Sequence, residues 1–207
     1  MNMDASRLLS IAHSVVEQPW GLGYTHLNNA ESSAPYYRFL HSVVSVFQPK
    51  LVVECGTYIG VATEHMALGN NGTRVVTIDR VARMEIMDVT KRCNNITFVQ
   101  RYTIDAVYVV ERICKELDCK VGLLFLDSEH DGATPREEFE VYAHLFDDEC
   151  LVCCDDILDE RMHEFWNWLP GEKMEMNFLH PSQYPGFSEP GFGISVVRKS
   201  DVWKTTF

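Results

Sequence analysis

Two patterns of hydrophobic residues follow one another in turn along most of the chain, and they indicate strands that alternate with helices. Short runs of Val, Ile and Leu are separated by stretches in which apolar residues recur every three or four positions. Continuous apolar strands that alternate with helices predict a parallel sheet covered on both faces. The predicted strands are 51–55, 74–79, 95–100, 121–127 and 150–156, and the predicted helices are 61–68, 81–92, 103–117, 135–146 and 158–169.

The two ends of the chain depart from this alternation. Two helical patterns, 7–18 and 33–47, come first and are joined by a segment rich in Gly, Asn and Ser. At the other end, two strands at 173–179 and 192–199 are joined by a segment with three prolines, which exclude a helix. We therefore expect an antiparallel pair there. The whole predicts one α/β domain, 1–207, with an N-terminal helical cap, 1–48, and a doubly wound, Rossmann-like core, 49–207.

The composition is that of a protein without membrane-spanning segments. The 207 residues are 46% hydrophobic and 23% charged, which is ordinary for a globular domain. The apolar runs are all far shorter than the roughly 18 residues of a membrane-spanning helix. The N-terminus carries Asp4 and Glu17 and no basic region, so it does not resemble a signal peptide. A cytoplasmic protein with no membrane partner is expected.

The charge argues against nucleic acid as a partner. The formal net charge is −12, from 30 acidic residues against 18 Lys and Arg, and no basic stripe is present. Such a field repels a phosphate backbone. A small molecule or a saccharide is the expected substrate.

The seven cysteines are expected to be free thiols, because their number is odd and no export signal precedes them. Cys150 and Cys153 form a C-x-x-C pair. A zinc site would need a second pair, and Cys114 and Cys119 are spaced too widely for a standard one. Buried thiols on a core strand are therefore expected.

The first strand ends in ECGTYIG, residues 54–60, where a strand gives way to a helix. Gly56 permits a tight turn close to a ligand, and Asp79, at the end of the next strand, can accept hydrogen bonds from ribose hydroxyls. The spacing E-x-G-x-x-x-G differs from the G-x-G-x-x-G of dinucleotide-binding folds. Glu54 would repel a pyrophosphate but suits the amino group and the sulfonium charge of S-adenosylmethionine. A strand–helix turn with no ligand is the alternative.

A second group of polar residues follows the fourth and fifth strands. Asp127 ends the fourth strand, and Asp155 and Asp156 end the fifth, so the three carboxylates should meet at one edge of the sheet. Carboxylates brought together repel one another unless a cation lies among them, and oxygen ligands favour Mg²⁺, with Mn²⁺ or Ca²⁺ as alternatives. His130, three residues after Asp127, can take a proton. The alternatives are a helix cap at Asp156 and a solvated turn around His130.

These motifs resemble those of a known enzyme group. VVECGTYIG with VVTIDR resembles motifs I and II of the class I S-adenosylmethionine-dependent methyltransferases. D-x-x-H followed by D-D is similar to the metal-dependent O-methyltransferases, above all to the macrocin and cephalosporin-biosynthesis branch. The resemblance covers most of the chain and implies a seven-stranded sheet whose last strand is inserted antiparallel. The chain departs from the family at DDEC, residues 147–150, where a glycine turn is usual.

The resemblance also implies roles for individual residues. His130 would be the catalytic base, acting with Asp127, and Asp127, Asp155 and Asp156 would hold the metal ion. The residues implied in binding S-adenosylmethionine are Glu54, Gly56, Thr57, Tyr58, Gly60, Asp79, Arg80, Thr103 and Asp127.

The expected function is Mg²⁺-dependent O-methylation of a hydroxyl on a small molecule, saccharide or natural product. Another adenosyl-cofactor transferase and a non-catalytic binding scaffold are the alternatives. The acceptor pocket is expected in segments 20–34 and 180–191, whose sequence does not identify the acceptor. The oligomeric state stays open, although the resemblance suggests a homodimer paired through the N-terminal helices.

Overall fold

The helices and strands alternate along the chain as the hydrophobic pattern predicts. A computed structural model describes residues 7, 8, 10, 11, 35–176 and 191–202, and none of the helices in these ranges is long and apolar enough to cross a membrane. The helices are α1 Pro35–Phe47, α2 Val61–Gly69, α3 Met84–Arg92, α4 Val107–Leu117, α5 Ala133–Tyr142, α6 His163–Trp168 and α7 Lys199–Val202. The strands are β1 Leu51–Cys55, β2 Arg74–Asp79, β3 Ile96–Gln100, β4 Val121–Leu126, β5 Phe146–Asp155, β6 Glu172–Met176 and β7 Phe192–Arg198.

The seven strands form one sheet in the order β3-β2-β1-β4-β5-β7-β6. Strands β1 to β5 pair in parallel, and β7 lies antiparallel between β5 and β6. This arrangement confirms the doubly wound fold and the antiparallel C-terminal pair. The chain order reverses between β1 and β4, and ligands of open α/β sheets bind at such a switch point, past the carboxyl ends of the strands.

Two apolar layers cover the two faces of the sheet. One layer joins the sheet to α1, α2 and α3, and the other joins it to α4, α5 and α6. Adjacent strand residues alternate between them: Val52 packs in the first layer and Val53 in the second. Strands β1 and β4 are completely buried between the two layers, and their carboxyl ends lie at the switch point.

The cysteines are free, as the sequence predicts. Cys150 lies in the second apolar layer and Cys153 in the first, and both are fully buried. Residues three apart on a strand point to opposite faces of the sheet. The two thiols of the C-x-x-C pair therefore cannot bind one zinc ion.

Strand β5 begins earlier than the sequence predicts. The prediction placed a helix over 135–146 and a strand from 150, whereas α5 ends at Tyr142 and β5 starts at Phe146. Phe146 pairs with Val121, and the next pair on β4 joins Leu123 to Leu151. The acidic residues between these two pairs, 147–149, form a bulge and are largely exposed. Because they interrupt the apolar run, the sequence pattern does not reveal the start of the strand.

Candidate active site

The turn after β1 packs directly against the end of β4. Gly56 has a φ of +95°, and a Cβ added to it would lie 1.9 Å from the carbonyl oxygen of Asp127. A hydrogen bond from Asp127 N to Cys55 O holds the same approach, and one from Gly56 N to Ile78 O joins the turn to β2, both at 2.9 Å. Gly60, with a φ of +86°, ends the turn at the start of α2. Gly56 therefore makes the predicted tight turn, and its close approach is to the backbone at the end of β4; its approach to a ligand stays a prediction.

Asp79 links the end of β2 to this turn. Its Oδ2 accepts a hydrogen bond from Tyr58 N at 2.9 Å, and its Oδ1 accepts one from Val81 N at 2.8 Å. The carboxylate is partly exposed at the carboxyl edge of the sheet. It is thereby oriented beside the glycine turn, where the prediction places the ribose.

Glu54 lies beneath the turn rather than on its surface. The residue has no exposed surface, and its Oε2 accepts a hydrogen bond from the Thr63 hydroxyl of α2. Burial raises the pKa of the Glu54 carboxyl to about 8, although Thr63 and Thr77 oppose that shift. Its Oε1 is buried and finds no hydrogen-bond partner among the described residues. Thr57 joins this buried group through a 2.5 Å contact between its hydroxyl oxygen and that of Thr77.

The other residues predicted to bind the cofactor lie around the same edge. The Tyr58 ring is 56% exposed, and the Arg83 guanidinium lies 4.6 Å from its centroid. Arg80 forms an exposed ion pair with Glu129 of the loop after β4, at 3.3 Å. Thr103, just after β3, donates its hydroxyl hydrogen bond to Glu138 on α5. The structure thus brings the predicted residues to the ends of β1, β2, β3 and β4.

The carboxylates after β4 and β5 meet as predicted, with His130 between two of them. His130 Nδ1 pairs with Asp156 Oδ2, and His130 Nε2 lies 3.5 Å from Asp127 Oδ1. The carboxyl groups of Asp155 and Asp127 are close enough for each to affect the pKa of the other. Asp156 has a φ of +57°, a left-handed conformation that ends β5 abruptly.

Burial and mutual repulsion perturb this group strongly. Burial raises the pKa of Asp127, and burial together with the charges of Asp127 and Asp156 raises that of Asp155 well above its usual range. The flanking carboxylates of Asp127 and Asp156 raise the pKa of His130 to about 10. The imidazole is therefore held as a cation that balances the acids beside it.

The described residues contain no group of three or more His, Cys, Asp or Glu side chains already spaced to hold a metal ion. The donor set nevertheless matches a hard cation, because three carboxylates converge and repel one another. In this arrangement, the His130 imidazolium lies between two of the three predicted ligands.

Two neighbours of the site were missed by the sequence reasoning. Glu138 is fully buried. It lies on the inner face of α5, at helical spacing from the buried residues Pro135, Phe139 and Tyr142. Tyr36, at the start of α1, stacks on Phe192 with ring centroids 5.6 Å apart. Burial and the nearby charge of Asp155 raise the pKa of Tyr36, so this ring approaches the carboxylate cluster. In the sequence, the signal for Glu138 was a charged residue on the apolar face of a predicted helix.

The segments predicted to form the acceptor pocket, 20–34 and 180–191, lie outside the described residues except for Gly191. Gly191 O accepts a hydrogen bond from Ile157 N at 3.3 Å, immediately after the carboxylate pair. The second predicted segment therefore rejoins the described structure beside Asp155 and Asp156.

Comparisons with solved structures agree with this fold. The cofactor-bound protein Rv0187 from MTB superposes with a TM-score of 0.62 at 17% identity, covering 93% of this chain and 88% of that one. TomG, the O-methyltransferase from Streptomyces achromogenes involved in tomaymycin synthesis, was solved in complex with S-adenosylmethionine. It superposes with a TM-score of 0.61 at 18% identity, covering 95% of this chain and 91% of that one. The O-methyltransferase from Bacillus cereus in complex with S-adenosylhomocysteine superposes with a TM-score of 0.59 at 16% identity, covering 96% of this chain and 93% of that one.

Sequence comparison with protein families gives a match that spans half of the chain. No curated protein matches the sequence. The family described as a methyltransferase domain matches residues 53–157, a range that runs from the glycine turn to the carboxylate pair after β5. The chain therefore belongs to this methyltransferase family and is a class I S-adenosylmethionine-dependent methyltransferase.

Proposed function

We propose that the protein transfers the methyl group of S-adenosylmethionine to a hydroxyl oxygen of a small molecule, in a reaction that requires Mg²⁺. The observation that carries this proposal is the convergence of Asp127, His130, Asp155 and Asp156 beside the glycine turn. A proton acceptor and a positive charge close to the methyl donor both activate a hydroxyl, and the residues at this edge of the sheet support a role in each.

The residues of the turn fit S-adenosylmethionine. The Gly56 backbone lies against the end of β4 with no space for a side chain, and the partly exposed Asp79 carboxylate stands beside it. The buried, unpartnered Oε1 of Glu54 places acceptor capacity under the turn. When bound, the cofactor supplies a methyl group on a sulfonium, whose departure as a neutral thioether needs no covalent enzyme intermediate.

The carboxylate cluster fits a hard cation in its chemistry, and Asp127, Asp155 and Asp156 are the residues that would hold it. A bound Mg²⁺ would lower the pKa of an acceptor hydroxyl. His130 can accept a proton only once another positive charge balances Asp127 and Asp156, since these two now hold it as an imidazolium. Charge balance therefore favours a cation at this position in the working enzyme.

His130 is the side chain placed to remove the proton. Its Nδ1 is held by Asp156, while its Nε2 lies 3.5 Å from Asp127 Oδ1 and makes no hydrogen bond among the described residues. In the proposed reaction, Nε2 would take the hydroxyl proton, and the freed oxygen would attack the methyl group that bound S-adenosylmethionine would supply. Asp156 orients the ring through Nδ1. Positioning of reactants can supply on the order of 7–11 kcal/mol where they are well aligned.

The test is calorimetric binding of S-adenosylhomocysteine and of Mg²⁺ to the wild type, Asp155→Ala and Asp148→Ala. Asp148 is an exposed acid at the other end of β5, so its variant removes the same carboxyl group from the same strand. We expect a Mg²⁺ isotherm in the wild type and in Asp148→Ala and its loss in Asp155→Ala. A screen of hydroxylated acceptors for methyl transfer, in Mg²⁺ and then in EDTA, follows.

Each outcome bears on a different part of the proposal. Nucleoside binding without any Mg²⁺ isotherm, together with transfer in EDTA, would contradict the metal requirement but keep the methyl donor. Failure of the wild type to bind S-adenosylhomocysteine would contradict the enzymatic function itself. Methyl transfer to nitrogen or sulfur acceptors alone would contradict O-methylation.

A further inference from the structure

Glu138 is a buried carboxyl that the proposed reaction does not use. It lies on α5 with no exposed surface, and burial raises its pKa to about 7. A carboxyl in such a position costs free energy unless hydrogen bonds compensate for the lost hydration. Its role must therefore be sought in the groups that it contacts.

The contacts of Glu138 come from two loops. Its Oε1 accepts hydrogen bonds from the Thr103 hydroxyl and from the Ser128 hydroxyl, the latter at 2.7 Å. The Tyr142 hydroxyl, one turn further along α5, donates to the carbonyl oxygen of Thr103 at 2.6 Å. Thr103 is thus held to α5 both by its side chain and by its backbone.

The two loops follow strands that do not pair with each other. Thr103 lies after β3 and Ser128 after β4, and β2 and β1 separate these strands in the sheet. Strands lie about 4.8 Å apart, so β3 and β4 are roughly 14 Å from one another. No strand pairing sets the relative position of their loops. A single carboxylate oxygen accepts from both loops, so their hydroxyls meet at Glu138 although the strands themselves lie apart.

The loops border the predicted nucleoside site. Ser128 follows Asp127, whose carbonyl oxygen meets the Gly56 turn, and Thr103 is a predicted cofactor-binding residue. The other acids that act on Glu138 are Asp131 and Asp127, both in or next to the loop after β4. The unpartnered Oε2 is also buried, so this carboxyl acts from below the pocket and not as a contact on its surface.

We propose that Glu138 is a positioning residue that clamps the loop after β3, residues 101–106, to the loop after β4, residues 127–132, and so sets the width of the nucleoside pocket. The nucleoside pocket itself belongs to the proposed function, on which this inference rests. Loss of the clamp loosens both loops together and weakens nucleoside binding without removing any group that contacts the nucleoside.

The first test is hydrogen exchange of the ligand-free protein. Glu138→Leu removes the acceptor, Glu138→Gln keeps an amide oxygen in its place, and Glu137→Gln is the control, an exposed neighbour on the same helix. We expect faster exchange in both loops in Glu138→Leu, partial rescue in Glu138→Gln and no change in Glu137→Gln. Faster exchange in one loop only, or in neither, would overturn the clamp.

The second test is the affinity for S-adenosylhomocysteine in a double-mutant cycle of Tyr142→Phe, which releases Thr103 O from α5, and Ser128→Ala, which releases the loop after β4. Neither residue is predicted to contact the nucleoside, and the Glu138 carboxyl stays in place. Each single variant should weaken binding by roughly tenfold, the size expected for one lost hydrogen bond. The fold loss of affinity in the double variant should be smaller than the product of the two single losses, because releasing either loop already opens the clamp. Independent, multiplying losses would refute the inference. If the wild type does not bind the nucleoside, the proposed function fails and hydrogen exchange still decides the clamp.

Discussion

Replacement of Gly56 by alanine tests the contact on which the site is built. The residue has a φ of +95°, and the new Cβ would lie 1.9 Å from Asp127 O and 2.8 Å from Ser128 Cα, both backbone atoms. Left-handed backbone costs a non-glycine residue about 1 kcal/mol, and forced backbone shifts in a packed region cost about 1–3 kcal/mol. Together they lower the free energy of unfolding by about 2–4 kcal/mol.

The assay is thermal unfolding together with calorimetric binding of S-adenosylhomocysteine. At 2–4 °C per kcal/mol for a chain of this size, Gly56→Ala should lower Tm by roughly 4–16 °C. The displaced end of β4 carries Asp127, so the affinity should fall at least tenfold in the fraction that remains folded. Gly72→Ala is the matched control, because its nearest neighbour is the Asn70 side chain at 3.2 Å.

A Gly56→Ala protein that melts and binds like the wild type would refute the reasoning, since it would mean that the turn and the end of β4 do not touch in solution. Equal losses in Gly56→Ala and Gly72→Ala would also refute it, because the second substitution meets only a flexible side chain.

Two further predictions concern buried charges. Burial raises the pKa of the Glu54 carboxyl from 4.5 to about 8, so between these values the folded state binds more protons than the unfolded state. The free energy of unfolding therefore falls as the pH rises through this range. Tm should therefore drop more from pH 5 to pH 8.5 in the wild type than in Glu54→Gln, and equal drops would contradict the burial. Arg92 donates two hydrogen bonds to Glu64 Oε1, at 3.1 and 3.2 Å. Arg92→Ala should cost about 2–3 kcal/mol in urea unfolding, and Arg92→Met with Glu64→Gln should recover most of it; no recovery would contradict the pair.

Much of the fold and of the candidate site was predictable from the sequence because the signals are local. Continuous runs of Val, Ile and Leu identified the strands, and a spacing of three to four residues identified the helices. The carboxyl ends of parallel strands meet at one edge of the sheet. That rule alone placed Gly56, Asp79, Asp127 and Asp155 together, and the structure confirms their proximity. Where charge interrupts the apolar run, at residues 147–149, the rule failed and β5 was predicted to start four residues too late.

The tertiary structure decided what each polar group experiences, because burial and partners come from segments far apart in the chain. Glu54 was predicted to face the cofactor, yet α2 and β2 enclose it and raise its pKa to about 8. Glu138 carried no motif, and only the packing of α5 under two loops brought Thr103 and Ser128 to its carboxylate. Hydrophobic spacing thus determined which residues reach the edge of the sheet, whereas long-range packing determined their exposure, charge and hydrogen bonds.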